Sequence, residues 1–201
     1  MRMLPHWTVI VGLLSLTALP ATAAPIVLAD GFETGTLAGA WTATPGFVSS
    51  FGVGSTHPHA GGYAAFFGGV NDGLHEDTIS RNVTTSGQSY VVSFWLMQEG
   101  PACDFAHGNF DCLLNDFRVS WNGARILNLV SAAPFGYTEF SFLVAATGPT
   151  STLSFAGANE PGFYRLDDVS VSVAEVPEPA SLVLLGGGLA LLVGSRRRRQ
   201  D

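Results

Sequence analysis

The sequence predicts an all-β fold, a β-sandwich of about ten short antiparallel strands, with an N-terminal signal helix and a short C-terminal transmembrane helix on either side. Between residues 24 and 175, apolar residues recur with a period of two, and no helical pattern of useful length occurs. Gly, Asn and Pro residues separate the short apolar segments, as turns do. An uninterrupted apolar segment near each end of the chain predicts the two helices.

The strongest strand prediction is the segment 90–97, which is rich in β-branched and aromatic residues. Its nearly continuous apolarity indicates either burial on both sides or a central position in a sheet. Clean alternation predicts four more strands, Phe117–Trp121, Phe140–Val144, Thr152–Phe155 and Leu166–Val173. Weaker patterns predict six others: Ile26–Leu28, Trp41–Ala43, Phe47–Ser50, Tyr63–Phe67, Thr78–Val83 and Arg125–Leu129.

The aromatic residues of these strands are the candidates for the core. We expect Phe94, Phe117, Phe142 and Phe155 to face inward and to join the two sheets, and Trp95 to be buried with them. The dipeptide Asn122-Gly123 lies between two predicted strands and predicts a tight hairpin.

The first 23 residues have the three parts of a secretory signal peptide. Arg2 supplies positive charge, residues 7–19 form an apolar segment, and Pro20 ends it. Small residues follow, which predicts cleavage by signal peptidase after Ala23, or alternatively after Ala24. The predicted folded domain therefore spans residues 24–175.

The C-terminal tail, residues 176–201, joins a proline-rich strip, an apolar run and a basic cluster. These parts are Val176, Pro177, Glu178 and Pro179, then residues 180–195, then Arg196, Arg197, Arg198 and Arg199. Their order and position resemble the PEP-CTERM sorting signal of bacteria that make extracellular polysaccharide. The resemblance implies export, processing near the Pro-Glu-Pro triplet by an exosortase-like membrane enzyme, and delivery to the cell envelope, the surface or the extracellular space.

The physical properties of the tail agree with temporary insertion in the inner membrane. A helix over residues 180–195 would be ~24 Å long, which is shorter than the ~30 Å hydrocarbon core of a bilayer. Gly186, Gly187 and Gly188 weaken such a helix further. The four arginines favour the cytoplasmic side, so the C-terminus is expected there and the folded domain outside.

The predicted domain is strongly acidic. It contains four arginines and fourteen Asp or Glu residues, and the whole chain contains no lysine. Such a surface repels nucleic acid, so we expect no nucleic-acid partner. The two cysteines, Cys103 and Cys112, lie in a loop-like stretch of this exported part, which predicts a local disulfide. A metal site that includes His107 is the alternative, but it lacks further ligands at suitable spacing.

Several segments of the domain carry a second resemblance. They are the opening Asp30-Gly31-Phe32-Glu33-Thr34-Gly35, the small-residue stretch 60–65, the strand 90–97 and the closing stretch 163–171. In this order they look like the jelly-roll, galactose-binding-like sandwiches of carbohydrate-binding modules and many envelope proteins. The resemblance implies a jelly-roll topology, and a fold of this kind serves many binding roles.

The same resemblance implies one structural Ca²⁺ that joins the first strand to the last. The matching ligands are Glu33, Asp168 or Asp167, and backbone carbonyls from Gly61 to Tyr63. Calcium prefers six to eight oxygen ligands, so the residue types are suitable. Because strand side chains alternate, Asp167 and Asp168 are expected to point to opposite faces, leaving only one as a ligand.

Two other groups of residues invite a metal interpretation. His57-Pro58-His59 places two imidazoles on an extended strip, without a third ligand nearby in the sequence. The acids Asp104, Asp111 and Asp116 do not have the spacing of a calcium-binding helix-loop-helix. Neither group is expected to bind a metal.

No motif for a catalytic nucleophile, a zinc protease or a phosphate-binding loop occurs. We therefore expect a non-catalytic protein of the surface or the extracellular matrix, with a role in adhesion, biofilm or polysaccharide association. The aromatic side chains that could stack on sugar rings are Trp41, Trp121, Tyr137 and Tyr164. The alternatives are an extracellular polysaccharide hydrolase, whose paired carboxylates would come from distant loops, and a structural matrix protein without a small ligand.

Overall fold

The computed structural model describes residues 24–70, 76–100, 115–160 and 162–175. Eleven strands lie in these ranges: β1 Ile26–Asp30, β2 Thr42–Thr44, β3 Phe51–Gly54, β4 Ala64–Phe67, β5 Asp77–Thr84, β6 Ser89–Glu99, β7 Asp116–Trp121, β8 Ala124–Val130, β9 Phe135–Ala145, β10 Thr150–Ala158 and β11 Phe163–Val173. The predicted signal peptide, the C-terminal tail and both cysteines lie outside the described residues. Within the described ranges, no helix is long and apolar enough to cross a membrane.

The strands form two sheets that face each other across one core. Sheet A has the order β3-β4-β11-β6-β9, and β1 also pairs with β11; sheet B has the order β2-β5-β10-β7-β8. All strand pairs are antiparallel. The predicted all-β sandwich is confirmed. Strand β6 lies in the interior of sheet A, between β11 and β9, and its burial alternates between the two faces.

One weak strand prediction is wrong. Residues 47–50 form a loop, and the strand begins after them at Phe51. The cause is the buried carboxylate of Asp77, which accepts hydrogen bonds from the amides of Gly46, at 2.9 Å, and Ser50, at 3.0 Å. These bonds use backbone groups that a strand would pair with its neighbour.

The hairpin between β7 and β8 follows the prediction. Asn122 and Gly123 both have positive φ, 51° and 77°, as the two central residues of a type I′ turn require. The Asn122 side chain also fixes the turn to β10, since its carbonyl oxygen accepts a hydrogen bond from the Thr152 amide at 2.9 Å.

Aromatic side chains from both sheets meet in the core. Phe94 of sheet A and Phe117 and Phe155 of sheet B are fully buried, and Phe142 packs against them from β9. The rings of Phe94 and Phe155 meet edge to face, with 5.2 Å between their centroids. The prediction for these four residues is confirmed. The prediction for Trp95 is wrong, because Trp95 alternates with the buried Phe94 and Leu96 and so points away from sheet B.

Phe155 is the centre of this contact, since its ring also meets those of Trp41 and Phe117. We expect Phe155→Ala to lower the free energy of unfolding by about 3–5 kcal/mol, because it leaves a cavity between the sheets. Phe47, which is 78% exposed, provides a matched control. Phe47→Ala should change stability by less than about 0.5 kcal/mol in the same denaturant titration. Equal losses for both variants would contradict the position assigned to Phe155.

Candidate functional site

Aromatic and charged side chains gather at one end of the outer face of sheet A, the side away from sheet B. We call them the outer cluster: Trp95 and Glu99 of β6, Tyr137 of β9, and Arg165 and Asp167 of β11. Trp95, Glu99, Arg165 and Asp167 alternate with buried, inward-facing residues along β6 and β11, and the register pairs Trp95 directly with Asp167. Tyr137 lies on the same face by its contacts with His57 and His59. Neighbouring strands therefore place these side chains side by side.

The chain between β3 and β4 crosses over this cluster. We call residues 57–63 the histidine segment. The imidazole of His59 stacks on Trp95, with 4.0 Å between ring centroids and 14° between planes. Tyr137 meets the same imidazole edge-on at 5.0 Å, and its hydroxyl donates to the carbonyl of His57 at 2.7 Å. The segment is thus packed against the side chains of β6 and β9.

Carboxylates fasten the histidine segment to the sheet. Asp167 is fully buried and accepts hydrogen bonds from the amides of His59, at 2.8 Å, and Ala60, at 3.2 Å. Burial raises the pKa of the Asp167 carboxyl, and the backbone donors act in the opposite direction. The Asp168 carboxylate lies 2.7 Å from Nδ1 of His59, and Glu99 is paired with Nδ1 of His57.

Arg165 holds Glu99 in place. Its Nε and Nη2 lie 3.1 and 3.0 Å from Oε2 of Glu99, so the carboxylate binds both nitrogens of the guanidinium. The guanidinium also lies over the ring of Phe163, 4.8 Å from its centroid, and only 5% of the residue is exposed. The charge at this point is therefore buried and compensated, as a stable site requires.

Tyr137 acts as a neutral hydrogen-bond donor. Burial, and then the negative charge of Asp167, raise the pKa of its hydroxyl above the ordinary range. The proton is accordingly retained at physiological pH.

The expectation that Asp167 and Asp168 face opposite sides of the sheet is wrong. The register between β11 and β6 shifts between Asp167 and Ser170, and Asp168 has a positive φ of 47°. This bulge turns both carboxylates towards Gly31: a Cβ there would lie 3.3 Å from Oδ1 of Asp168 and 3.7 Å from Oδ1 of Asp167.

The residues that the resemblance assigned to calcium do come together, with one difference. Glu33 reaches the small-residue stretch, but it meets the amides of Gly62, at 2.9 Å, and Tyr63, at 3.3 Å, instead of carbonyls. A Cβ at Gly61, whose φ is 61°, would overlap the Glu33 carboxylate. In the described ranges, no group of three or more His, Cys, Asp or Glu side chains is arranged to hold a metal ion. The acids are thus of a kind that Ca²⁺ binds, but they are not gathered into a ligand set, and the peptide groups opposite Glu33 present hydrogens.

The paired histidines have separate partners. His57 is bound to Glu99 and His59 to Asp168, so each Nδ1 is used by a carboxylate on a different strand. His75, Asp104 and Asp111 lie outside the described residues.

Three of the four predicted sugar-stacking residues belong to the core. Trp41, Trp121 and Tyr164 are 6%, 4% and 0% exposed. Their polar atoms have internal partners: the indole nitrogens donate to Asp30 and to the carbonyl of Ala145, and the Tyr164 hydroxyl donates to Asn115. Only Tyr137 lies on an outer face. Strict alternation from Phe94 would have identified Trp95 as its neighbour on that face.

A depression lies at the edge of sheet B. It has a volume of about 500 Å³ and is lined by residues 39–42 and 80–82. The side chain of Arg81 is partly exposed there, and its Nη1 lies 2.9 Å from Oδ2 of Asp30. Asp30 therefore engages both Arg81 and the neighbouring Trp41 in the wall of this depression.

Two acids with buried side chains, Glu76 just before β5 and Asp116 in β7, lie close to Arg118. Arg118 is paired with Glu76 and with Asp116, whose Oδ1 lies 2.9 Å from Nε. Burial raises the pKa of Asp116 to about 6, while the charge of Arg125 acts to lower it.

Comparison with known proteins finds similarities for both parts of the chain. Residues 175–199 match the family model of the PEP-CTERM protein-sorting motif, which indicates an exported protein that an exosortase sorts. No curated protein matches the chain by sequence.

Solved structures match the folded part. The CBM22-1 xylan-binding domain of Paenibacillus barcinonensis Xyn10C has a TM-score of 0.52 at 16% identity, covering 78% of this chain and 99% of that one. The C-terminal family 22 carbohydrate-binding module of Clostridium thermocellum Xyn10B has a TM-score of 0.51 at 13% identity, covering 77% and 98%. The N-terminal CBM22-1–GH10 modules of the same xylanase, complexed with xylohexaose, give 0.54 at 16%, covering 77% and 29%. The fold is therefore that of the jelly-roll carbohydrate-binding modules, as the second resemblance implied.

The raised pKa of Asp116 predicts a pH dependence of stability. The folded state holds the proton of the Asp116 carboxyl more tightly than the unfolded chain does. The protonated carboxyl therefore contributes its full share to the free energy of unfolding below about pH 4, and this share is lost as the pH rises through about 6. Asp116→Asn cannot titrate. The unfolding free energy of the wild type minus that of the variant should therefore fall by about 1–3 kcal/mol between pH 4 and pH 7. A difference that stays constant with pH would contradict the assignment.

Proposed function

We propose that the protein is a non-catalytic, exported polysaccharide-binding protein whose ligand lies on the outer cluster of sheet A. The observation that carries this proposal is the position of Trp95 and Tyr137, two aromatic side chains on the solvent side of a sheet, beside charged groups fixed by the fold. An aromatic ring next to oriented polar groups is the usual arrangement for binding a sugar, which is flat and apolar on one face and polar at its edge.

The stack of His59 on Trp95 indicates how a sugar ring would be accommodated. Its separation of 4.0 Å and its angle of 14° are those of two flat rings in contact. A pyranose ring could bind in two ways. It either displaces His59 and stacks on the indole in its place, or it contacts the part of the Trp95 indole that His59 leaves exposed. These two modes predict opposite effects of removing His59.

The structural neighbours support a saccharide ligand. Two of the domains with this fold are described as xylan-binding or as complexed with xylohexaose. A neutral pyranose polymer of that kind also suits the charge of the chain, because fourteen acidic residues in the predicted domain would repel an anionic polysaccharide.

The two ends of the chain are the signals for export and sorting. Signal peptidase removes residues 1–23, and the tail is held temporarily in the inner membrane with its C-terminus in the cytoplasm. An exosortase-like enzyme then processes the Pro-Glu-Pro strip, and the domain is delivered to the envelope, the surface or the extracellular matrix. Adhesion or biofilm structure is the role that a polysaccharide-binding domain at this location would have.

A structural Ca²⁺ is a second part of the proposal. Glu33 and Asp168 would hold the ion together with backbone carbonyls between Gly61 and Tyr63, and it would supply charge compensation that ties β1 and β11 to the histidine segment. Binding would replace the amide bonds that Glu33 now accepts from Gly62 and Tyr63. Asp167 already accepts backbone hydrogen bonds and stays a hydrogen-bonding partner.

The binding proposal is tested with a glycan array and affinity electrophoresis in soluble xylan. Trp95→Ala should abolish retention by the polysaccharide, because it removes the stacking surface. Leu143→Ala, on the same face and 72% exposed, is the matched control and should bind as the wild type does. His59→Ala should strengthen binding if the sugar replaces the imidazole and weaken it if the sugar extends the stack.

Two outcomes of these assays would overturn the proposal. An empty array would favour a structural matrix protein without a small ligand. Release of reducing sugar by the purified protein, abolished by substitution of one carboxylate, would favour a hydrolase.

The calcium proposal is tested by thermal unfolding. Removal of metal with EDTA should lower the Tm, and Ca²⁺ should restore it. Glu33→Gln, which keeps the size of the side chain but not its charge, should lose this response. An unchanged Tm of the wild type would show that hydrogen bonds alone hold the histidine segment.

A further inference from the structure

An apolar row crosses the outer face of sheet A at the end opposite the outer cluster. Ile26 of β1 pairs with Ser172 of β11, Ser172 pairs with Val91 of β6, and Val91 pairs with Leu143 of β9. Paired residues on neighbouring strands project to the same side, so these side chains form one row on the outer face. Ile26 is 66% exposed and Leu143 is 72% exposed. We call Ile26, Val91 and Leu143 the apolar row.

The next row on this face is also uncharged. It consists of Ser141, Ser93 and Ser170, and the hydroxyls of Ser93 and Ser170 are 2.8 Å apart. Charged side chains begin only with the row of Trp95, which contains Glu139 and Asp167. At about 3.4 Å per residue, the four residues from Val91 to Trp95 separate the apolar row from these acids by about 14 Å.

Both ends of the described domain leave the fold beside the apolar row. The Val173 amide donates to the carbonyl of Pro25 at 2.9 Å, and the Ala174 amide donates to that of Ser89 at 2.9 Å. Strand β11 ends at Val173, and the sorting motif matches from residue 175. The domain is therefore joined to its tail without a spacer.

This connection limits how far the apolar row can stand from the lipid. Residues 174–179 span at most about 21 Å when fully extended, and the apolar run begins after them. Roughly a third of that length is needed to cross the headgroup region, which is about 5–8 Å thick on each side. The end of the sandwich that carries the row is thus kept within about 14 Å of the bilayer surface.

We propose that the apolar row is a membrane-contact surface: while the tail is inserted, Ile26, Val91 and Leu143 rest on the outer leaflet and direct the outer cluster away from the membrane. This inference rests on the proposed insertion of the tail. Removing exposed apolar side chains from water is favourable, and the serine row behind them keeps Glu139 and Asp167 more than one Debye length, about 8–10 Å, from lipid phosphates.

The test places the full chain, with methyl-labelled Ile, Leu and Val, in phosphatidylcholine nanodiscs that contain nitroxide-labelled lipid. The methyl signals of Ile26, Val91 and Leu143 should be lost through paramagnetic broadening and should return when the nitroxide is reduced. The methyl signals of Val130, which is 57% exposed on sheet B, should be retained. Leu143→Ser should restore part of the Ile26 and Val91 signal in oxidised nanodiscs, and the matched control Val130→Ser should not.

The same spectra separate this inference from the sorting proposal. Methyl groups of residues 182–193 report insertion of the tail. Broadening there without broadening at the apolar row would overturn the inference and leave sorting intact, whereas a tail that is not broadened would refute insertion itself.

Other occupants of the apolar row would be visible as well. A lipid-free dimer that Leu143→Ser dissociates would identify a second copy of the chain. Nuclear Overhauser contacts between the row and the tail would identify the tail. Either result would overturn the membrane assignment.

Discussion

The buried carboxylate of Asp167 is the contact on which the outer face of sheet A depends. A carboxylate without solvent must be satisfied by donors, and the amides of His59, Ala60 and Asp168 provide them at 2.8, 3.2 and 2.7 Å. These bonds bring the histidine segment down onto β6 and β11. The stack of His59 on Trp95 and the hydrogen bond from Tyr137 to His57 follow from that placement. Loss of the Asp167 carboxylate would free both the segment and the aromatic surface beneath it.

The side chains on the outer face of sheet A change from apolar to charged along the length of the strands. Its apolar row lies where the chain continues into the sorting motif, a serine row follows, and aromatic and charged side chains occupy the far end. One strand pair, β6 with β11, carries members of all three rows. The proposed membrane contact and the proposed ligand site consequently lie on the same strands. A domain oriented this way would hold a polysaccharide on the side that faces the matrix.

The strands could be predicted from the sequence, because alternation reports which residues leave water. The segment 90–97, the Asn122-Gly123 hairpin and the inward rings of Phe94, Phe117 and Phe155 all follow from local patterns. The site could not be predicted fully, since it depends on contacts between residues distant in the sequence. His59 meets Asp167 across 107 intervening positions, and the bulge that turns Asp168 has no local signal. Trp41, Trp121 and Tyr164 show the same limit: an aromatic residue in a strand is equally suited to a core and to a ligand surface until its partners are known.

The proposed function requires that a saccharide bind at Trp95. This contact can be followed through the indole N–H signals of the isotopically labelled protein by NMR while a xylo-oligosaccharide is added. The indole signal of Trp95 should shift in a saturable manner. The indoles of Trp41 and Trp121, which are hydrogen-bonded to Asp30 and Ala145, should remain in place. A saturable shift at Trp41 would move the binding site to the depression at the edge of sheet B, and the absence of any shift across a panel of neutral oligosaccharides would contradict the proposed function.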